Sequence, residues 1–384
     1  MNEAVEYGAT FDISNDSSTQ KVVVNFVDED NSIVGEEAFM NPANSEEFTI
    51  GYYLSKDLGM FDLDLGFRLD QIERSGSVSE EEHGDDHGDD HGDEHGDEHG
   101  DIDYYNIDDT TSSFAITLGR DLSDNLGVSL GYASVERLPS SIELFMNGPH
   151  MATGRFEVGD PNLNSETSNN FDITFNFDNG DFYAVASFYI TDVDNYIALI
   201  DEEDDHMDED EHHEDEDEHH EDEDDDHGHG NLIHANYMQE DAEFDGYEIE
   251  FGKSFDLGSG ELALSFGRDV VNAEFSDGHN VPRINPARNI YSLVYTQDDL
   301  LFKLMLKDVE KQNDFGEGET ATDSYQMLNT KLTKTFNGMG KGELKVSLFA
   351  NNLLDEVARN HSSFVKNEVP LPGRNYGLKF NLTF

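Results

Sequence analysis

Phe61, Leu63, Leu65, Phe67 and Leu69 alternate with Asp62, Asp64, Gly66, Arg68 and Asp70, an order that only an extended strand sorts into one apolar and one polar face. The same period of two runs through Phe171, Ile173, Phe175 and Phe177, through Leu262, Leu264 and Phe266, and through Leu344, Val346 and Leu348. Helical spacing is nowhere comparably sustained, so the chain is expected to be all-β. Alternation alone does not say whether the apolar face meets a core or lipid. The connections do. Short polar turns near 56–60, 121–125, 178–181, 256–260, 297–299 and 337–341 alternate with long excursions at about 71–111, 136–165, 200–242, 272–287, 310–322 and 353–373. One end of the strand array is therefore trimmed and the other elaborate, as in an antiparallel transmembrane β-barrel with short periplasmic turns and long extracellular loops.

The last strand agrees. In "NYGLKFNLTF", Tyr376, Leu378, Phe380, Leu382 and Phe384 form one apolar row, of the length a tilted membrane strand needs. As a soluble edge strand that row would invite aggregation. About 15 strands are predicted, beginning near residue 4. Single-chain bacterial barrels close with an even number, so an odd count points to a barrel cut off on its N-terminal side. "MNEAVEYGAT" also lacks the basic start and apolar stretch of a secretion signal. Either the chain stays inside the cell or its true beginning is missing.

Charge narrows the partners. Against 86 Asp and Glu stand 22 Lys and Arg, a formal charge of −64, which repels phosphate backbones and excludes nucleic acid as a ligand. Cations are the natural partners. Two tracts, 80–101 and 201–229, hold 12 and 20 of the acids, so the body without them still carries −32; solubility in salt is one ordinary reason for such a surface. Cysteine is absent, which removes disulfides, thiolate metal sites and thiol nucleophiles.

The tracts carry histidine as well as acid. His83, His87, His91, His95 and His99 recur every four residues, each followed by glycine; His206, His212, His213, His219, His220, His227 and His229 stud the second tract, with His234 just beyond. A glycine costs about 1 kcal/mol relative to alanine within a helix, so loops are expected. Imidazole with carboxylate suits Zn(II), Ni(II) and Cu(II), whereas Ca(II) and Mg(II) are content with carboxylate alone. Such spacings describe many overlapping weak sites in a negative field that concentrates cations. A solvating tract without any other role would need no histidine.

At "VERLPSSIELFMNGPHMATGRFEVGDPNLNSETSNNFDITF" (135–175) the sequence resembles TonB-dependent outer-membrane receptors, particularly their histidine-rich branch associated with zinc. Arg137, Pro139, "ELF" at 143–145, "GDPNL" at 159–163, Glu166 and Asn170 carry the resemblance, as do "VPRINPARNI" at 281–290, "FANNLLDE" at 349–356 and "PGRNYGLKFNLTF" at the end. It runs from about residue 20 onward. The resemblance implies a 22-stranded barrel of which the plug domain, the TonB-recruiting segment and the first strands are absent here. It implies outer-membrane lipid around the barrel, TonB as a partner through the missing plug, and a divalent metal ion as cargo. Zinc is favoured, with nickel, copper or calcium as alternatives, and no resident cofactor is required.

For a tighter site the best single candidate is His150 in "NGPH", with Glu143, Glu157 and Asp160 nearby in sequence; an ordinary surface histidine is the plain alternative. The resemblance places it in a loop where the zinc branch keeps histidine. His234 and His279 are weaker candidates, and His361 is only a loop histidine. Catalysis finds no support, since no "GxSxG" element or phosphate-loop signature is present. Two rivals stand beside zinc uptake: a receptor for a metal chelate such as a siderophore, haem or cobalamin, and a surface metal-buffering protein that transports nothing.

Overall fold

The computed structural model describes residues 2–35, 38–79, 102–202, 232–339 and 342–383. The tracts' histidines from His83 to His99 and from His206 to His229 lie outside the described residues. The first six strands are β1 (Asn2–Asp12), β2 (Thr19–Asn31), β3 (Ala43–Asp57), β4 (Asp62–Ser79), β5 (Ile102–Ser123) and β6 (Leu126–Arg137). A short helix, α1 (Ser141–Phe145), and two short strands, β7 (Asn147–His150) and β8 (Arg155–Val158), follow. Nine more strands complete the chain: β9 (Glu166–Asp178), β10 (Phe182–Asp201), β11 (Ile233–Asp256), β12 (Glu261–Phe275), β13 (Arg288–Gln297), β14 (Leu300–Val309), β15 (Tyr325–Met339), β16 (Gly342–Asn351) and β17 (Asn375–Thr383).

Each wall strand pairs antiparallel with the next, and β9 takes the place beside β6 because α1, β7 and β8 belong to the loop between them. Fifteen strands therefore build the wall, as the alternation predicts. Among the described residues no pairing joins β1 to β17, so the sheet is open at those two edges. Short turns and long loops alternate without exception.

Register decides which face meets lipid. Leu126, Val128, Leu130 and Tyr132 of β6 stand across from Phe177, Phe175, Ile173 and Phe171 of β9, which stand across from Ala184, Ala186, Phe188 and Ile190 of β10. The intervening positions pair Ser129, Thr174 and Ser187, then Gly131, Asp172 and Tyr189. Apolar side chains thus share one exposed face and polar ones the other, the sorting of a lipid-embedded wall around a polar lumen. The apolar row of β10 gives way to Asp192 and Asp194, and that of β11 to Asp245 and Glu243. Hence the strands outrun the hydrocarbon.

Here the structure differs from the loop lengths read in sequence. Residues 71–79, 102–111 and 233–242 are strand, not loop, because cross-strand pairing continues into segments where apolar and polar residues no longer alternate. A bulge in β10 between Val193 and Tyr196, with Asn195 at φ 56°, breaks the pattern further.

Loop 138–165 folds back over the mouth. Leu144 and Phe145 are fully buried, with Met40, Ala43, Leu163 and Ile197 around them. Phe145 lies flat on Gly76 of β4, where a Cβ would overlap its ring. Since Phe145 is enclosed, the ring has nowhere to move. Gly76→Ala is expected to cost about 1–3 kcal/mol, read as a lower Tm for the detergent-solubilised chain.

Candidate functional site at the mouth of the barrel

Ser79 of β4 pairs with Ile102 of β5, and Asp201 of β10 with Ala235 of β11. The described residues that flank both His-rich tracts therefore stand at the loop end of the wall. The 138–165 loop folds at that same end. Its base is fixed by Arg137, which holds Glu143 at 2.9 and 3.2 Å and Glu166 at 2.9 and 3.1 Å. Glu143 and Ser140 also form a capping box at the start of α1.

The loop then turns into the β7–β8 hairpin, and β8 runs parallel beside β11 with Ile233 against Arg155 and His234 against Phe156. The Ile233 N–H donates to the Gly154 carbonyl, and the Glu202 N–H to that of His234. Residues on both sides of the second tract are thereby tied to, or beside, the hairpin that carries His150.

His150 Nδ1 lies 3.0 Å from Glu157 Oε1, which also accepts the Thr153 hydroxyl at 2.6 Å. Glu157 is buried, while the half-buried His150 ring lies against Phe39 with centroids 4.6 Å apart. A carboxylate only accepts, so the imidazole proton sits on Nδ1 and the lone pair on Nε2. Histidines that bind metal are ordinarily oriented in this way. Nε2 has no hydrogen-bond partner among the described residues.

The other sequence candidates are not brought to it. His234 stacks on Phe156 at 5.2 Å, and Phe156 points to the opposite face of β8 from Glu157. Glu143 is committed to Arg137, and Asp160 accepts the N–H and side-chain amide of Asn162. His279 pairs with Asp277 at 2.7 Å on an exposed loop. Among the described residues no three His, Asp or Glu side chains group to hold a metal ion. The fixed part of the mouth offers one oriented imidazole, not a complete coordination sphere.

Sequence reasoning missed what locks the loops together. Arg155 and Asp201 form a nearly dry two-bond ion pair, 2.6 Å at each contact. Phe364 is shared by two guanidinium groups, with Arg155 4.5 Å and Arg283 3.9 Å from its centroid. His361 of the same loop is buried, its Nδ1 2.8 Å from the Thr322 hydroxyl and 3.2 Å from Lys366 Nζ, its Nε2 3.5 Å from Glu319. Nothing in the sequence around His361 distinguishes it from a surface loop histidine, because two of its three partners, Thr322 and Glu319, come from loop 310–324.

Burial pushes the Glu319 carboxyl up, but the neighbouring His361 ring and hydrogen bonds from the Arg283 and Gly316 N–H groups outweigh it and hold the carboxyl below its ordinary value. A depressed carboxyl stabilises the fold above its unfolded value and ceases to do so as pH falls through the folded one. The clasp joining loops 276–287, 310–324 and 352–374 should hold at neutral pH and open only once pH has fallen below the ordinary glutamate range. Hydrogen exchange at the Arg283 and Gly316 amides measures this, and Glu319→Gln should remove their extra protection at every pH.

The model of the TonB-dependent receptor-like β-barrel family matches residues 4–353. The chain belongs to that family. It is an outer-membrane β-barrel, and membership of a receptor family sets aside an enzymatic role. Solved structures agree on the fold. The copper transporter OprC superposes with a TM-score of 0.72 at 16% identity, over 99% of this chain and 56% of its own. The ferric-catecholate import receptor Fiu from E. coli gives 0.63 at 15%, over 99% and 54%. The FrpB iron transporter from Neisseria meningitidis gives 0.60 at 14%, over 99% and 55%. This TonB-dependent barrel thus spans about half the length of the structures it matches.

Proposed function

We propose that this chain is the C-terminal barrel portion of a TonB-dependent receptor that takes up a divalent metal, zinc being favoured. The tracts gather cations outside the membrane, and His150 is the first fixed ligand below them. TonB, acting through a plug, would supply the energy for passage. One observation carries the reading: the residues flanking the second tract are hydrogen-bonded at the hairpin that presents the oriented His150 imidazole. That the copper transporter OprC shares the fold is consistent with a bare metal as cargo. Fiu and FrpB, named for ferric-catecholate and iron, favour the second reading, uptake of a metal chelate.

Titration separates the two. The full chain is compared with a variant lacking 80–101 and 203–229, a deletion that spares Asp201 for Arg155 and Glu202 for the Asn236 side chain. Bound zinc should collapse in the variant while strand content stays. Unchanged zinc binding by the variant, or tight binding of a siderophore or haem by both forms, would turn the assignment to a chelate.

A further inference from the structure

Charge on the lipid-side face of the wall is sorted by end. At the loop end, register sets Asp28, Glu46, Glu73 and Asp108 side by side across β2 to β5, and Asp192 beside Glu243 across β10 and β11. At the short-turn end the same face carries Lys56 of β3, Arg120 of β5, Lys253 of β11 and Lys334 of β15. No acid shares that end of the face among the described strand residues. In a chain of formal charge −64, an edge that carries cations alone is not a consequence of composition.

The four stand where the hydrocarbon ends. Each lies across from an apolar residue at the start of a strand that follows a short turn: Leu63, Val128, Phe182 and Leu300. Lys334 is already paired with Asp299 of such a turn. Lys56, Arg120 and Lys253 have no carboxylate within ion-pair distance among the described residues. The Arg120 guanidinium lies 5.4 Å from the centroid of Phe61, and Lys253 Nζ 5.3 Å from that of Phe255; both rings are exposed. A ring face attracts a cation but leaves its N–H donors without acceptors. Long basic side chains at such an edge lay their stems on apolar neighbours and carry the charged head to the interface. There an anionic headgroup layer attracts them.

We propose that Lys56, Arg120 and Lys253 form a basic collar that binds the headgroup phosphates of anionic phospholipid in the periplasmic leaflet. The short turns face the periplasm, and phosphate oxygens supply the acceptors that the wall does not. The carboxylate rows at the other end repel the same headgroups, so the preference belongs to one edge. The collar rests on the lipid-facing assignment of the apolar rows, and on neither the tracts nor the lumen.

Tryptophan is absent from the chain, which lets a single introduced indole report on one edge. Phe61→Trp sits beside Arg120, Phe255→Trp beside Lys253, and Phe171→Trp in the half of the wall nearer the loops. The full chain carrying one of these is placed in vesicles of phosphatidylcholine and phosphatidylglycerol, with one lipid or the other brominated. The first two reporters should be quenched with a preference of about fivefold for phosphatidylglycerol, eroding as salt is raised. Phe171→Trp should show no such preference. Adding Arg120→Gln to Phe61→Trp, or Lys253→Gln to Phe255→Trp, should abolish the preference, and Arg120→Lys should keep it. Should a charge-removed variant lose strand signal, the salt dependence of the Phe61→Trp and Phe255→Trp chains decides alone. Equal quenching by the two lipids, a preference that salt and the glutamines leave in place, or the same preference at 171 overturns the collar. No quenching by either lipid removes the lipid-facing rows themselves, and the collar with them.

Discussion

Zinc affinity of the full chain should fall by about a thousandfold between pH 7.5 and pH 5. Coordination requires neutral imidazole, and a histidine of ordinary pKa is only about 3% neutral at pH 5. Each histidine ligand therefore contributes roughly a 30-fold loss, and two together about a thousandfold. Carboxylates behave otherwise. Aspartate and glutamate remain mostly ionised at pH 5, so capture by the 86 acids alone would weaken only a few-fold. The twelve tract histidines and His150 thus make a prediction that the negative charge does not. Isothermal titration at the two values, in equal salt, measures it; a few-fold change would remove histidine from the ligand set.

The wall was legible because its physics is local. A strand between lipid and water must alternate, and Phe171 to Phe177 do so without interruption. Fifteen wall strands and the short and long connections followed from that alone. Legibility ended where the wall leaves the hydrocarbon. Above Ile190 and Tyr247 apolar and polar residues no longer alternate, so residues 233–242 resembled a loop although they pair with β10. The loops were less legible still. Glu143, Glu157 and Asp160 lie near His150 in sequence, yet only Glu157 reaches it, because the hairpin turn at 151–154 folds β8 back along β7. His361 gains its partners from a different loop. Lys303, Lys307 and Lys331 stand at odd positions in the sequence, but only the register between strands shows that they share a face with Lys345 and Lys379.

Phe175→Arg should destabilise the chain by about 2–4 kcal/mol in lipid vesicles, whereas Thr174→Arg, one residue away, should change stability little. Phe175 is bracketed by Val128 and Ala186, in the middle of an apolar row that runs from Phe171 to Phe177. An arginine there must leave water for hydrocarbon or pull its head group to the interface. Thr174 is bracketed by Ser129 and Ser187 and hydrogen-bonded to Ser187. Its replacement would extend into a polar lumen, beside acids such as Asp172 that attract it. A soluble β-protein folded around the same rows would also reject arginine at 175, so destabilisation alone does not discriminate. The solvent does. In a membrane barrel the parent needs lipid or detergent to hold its fold, and the penalty at 175 shrinks as the charge is moved toward either end of the row. Unfolding measured for arginine at 171, 173, 175 and 177 gives that depth profile. A flat profile, or a parent that stays folded without detergent, would place the phenylalanines in a protein core and undo the assignment of the opposite face to a lumen.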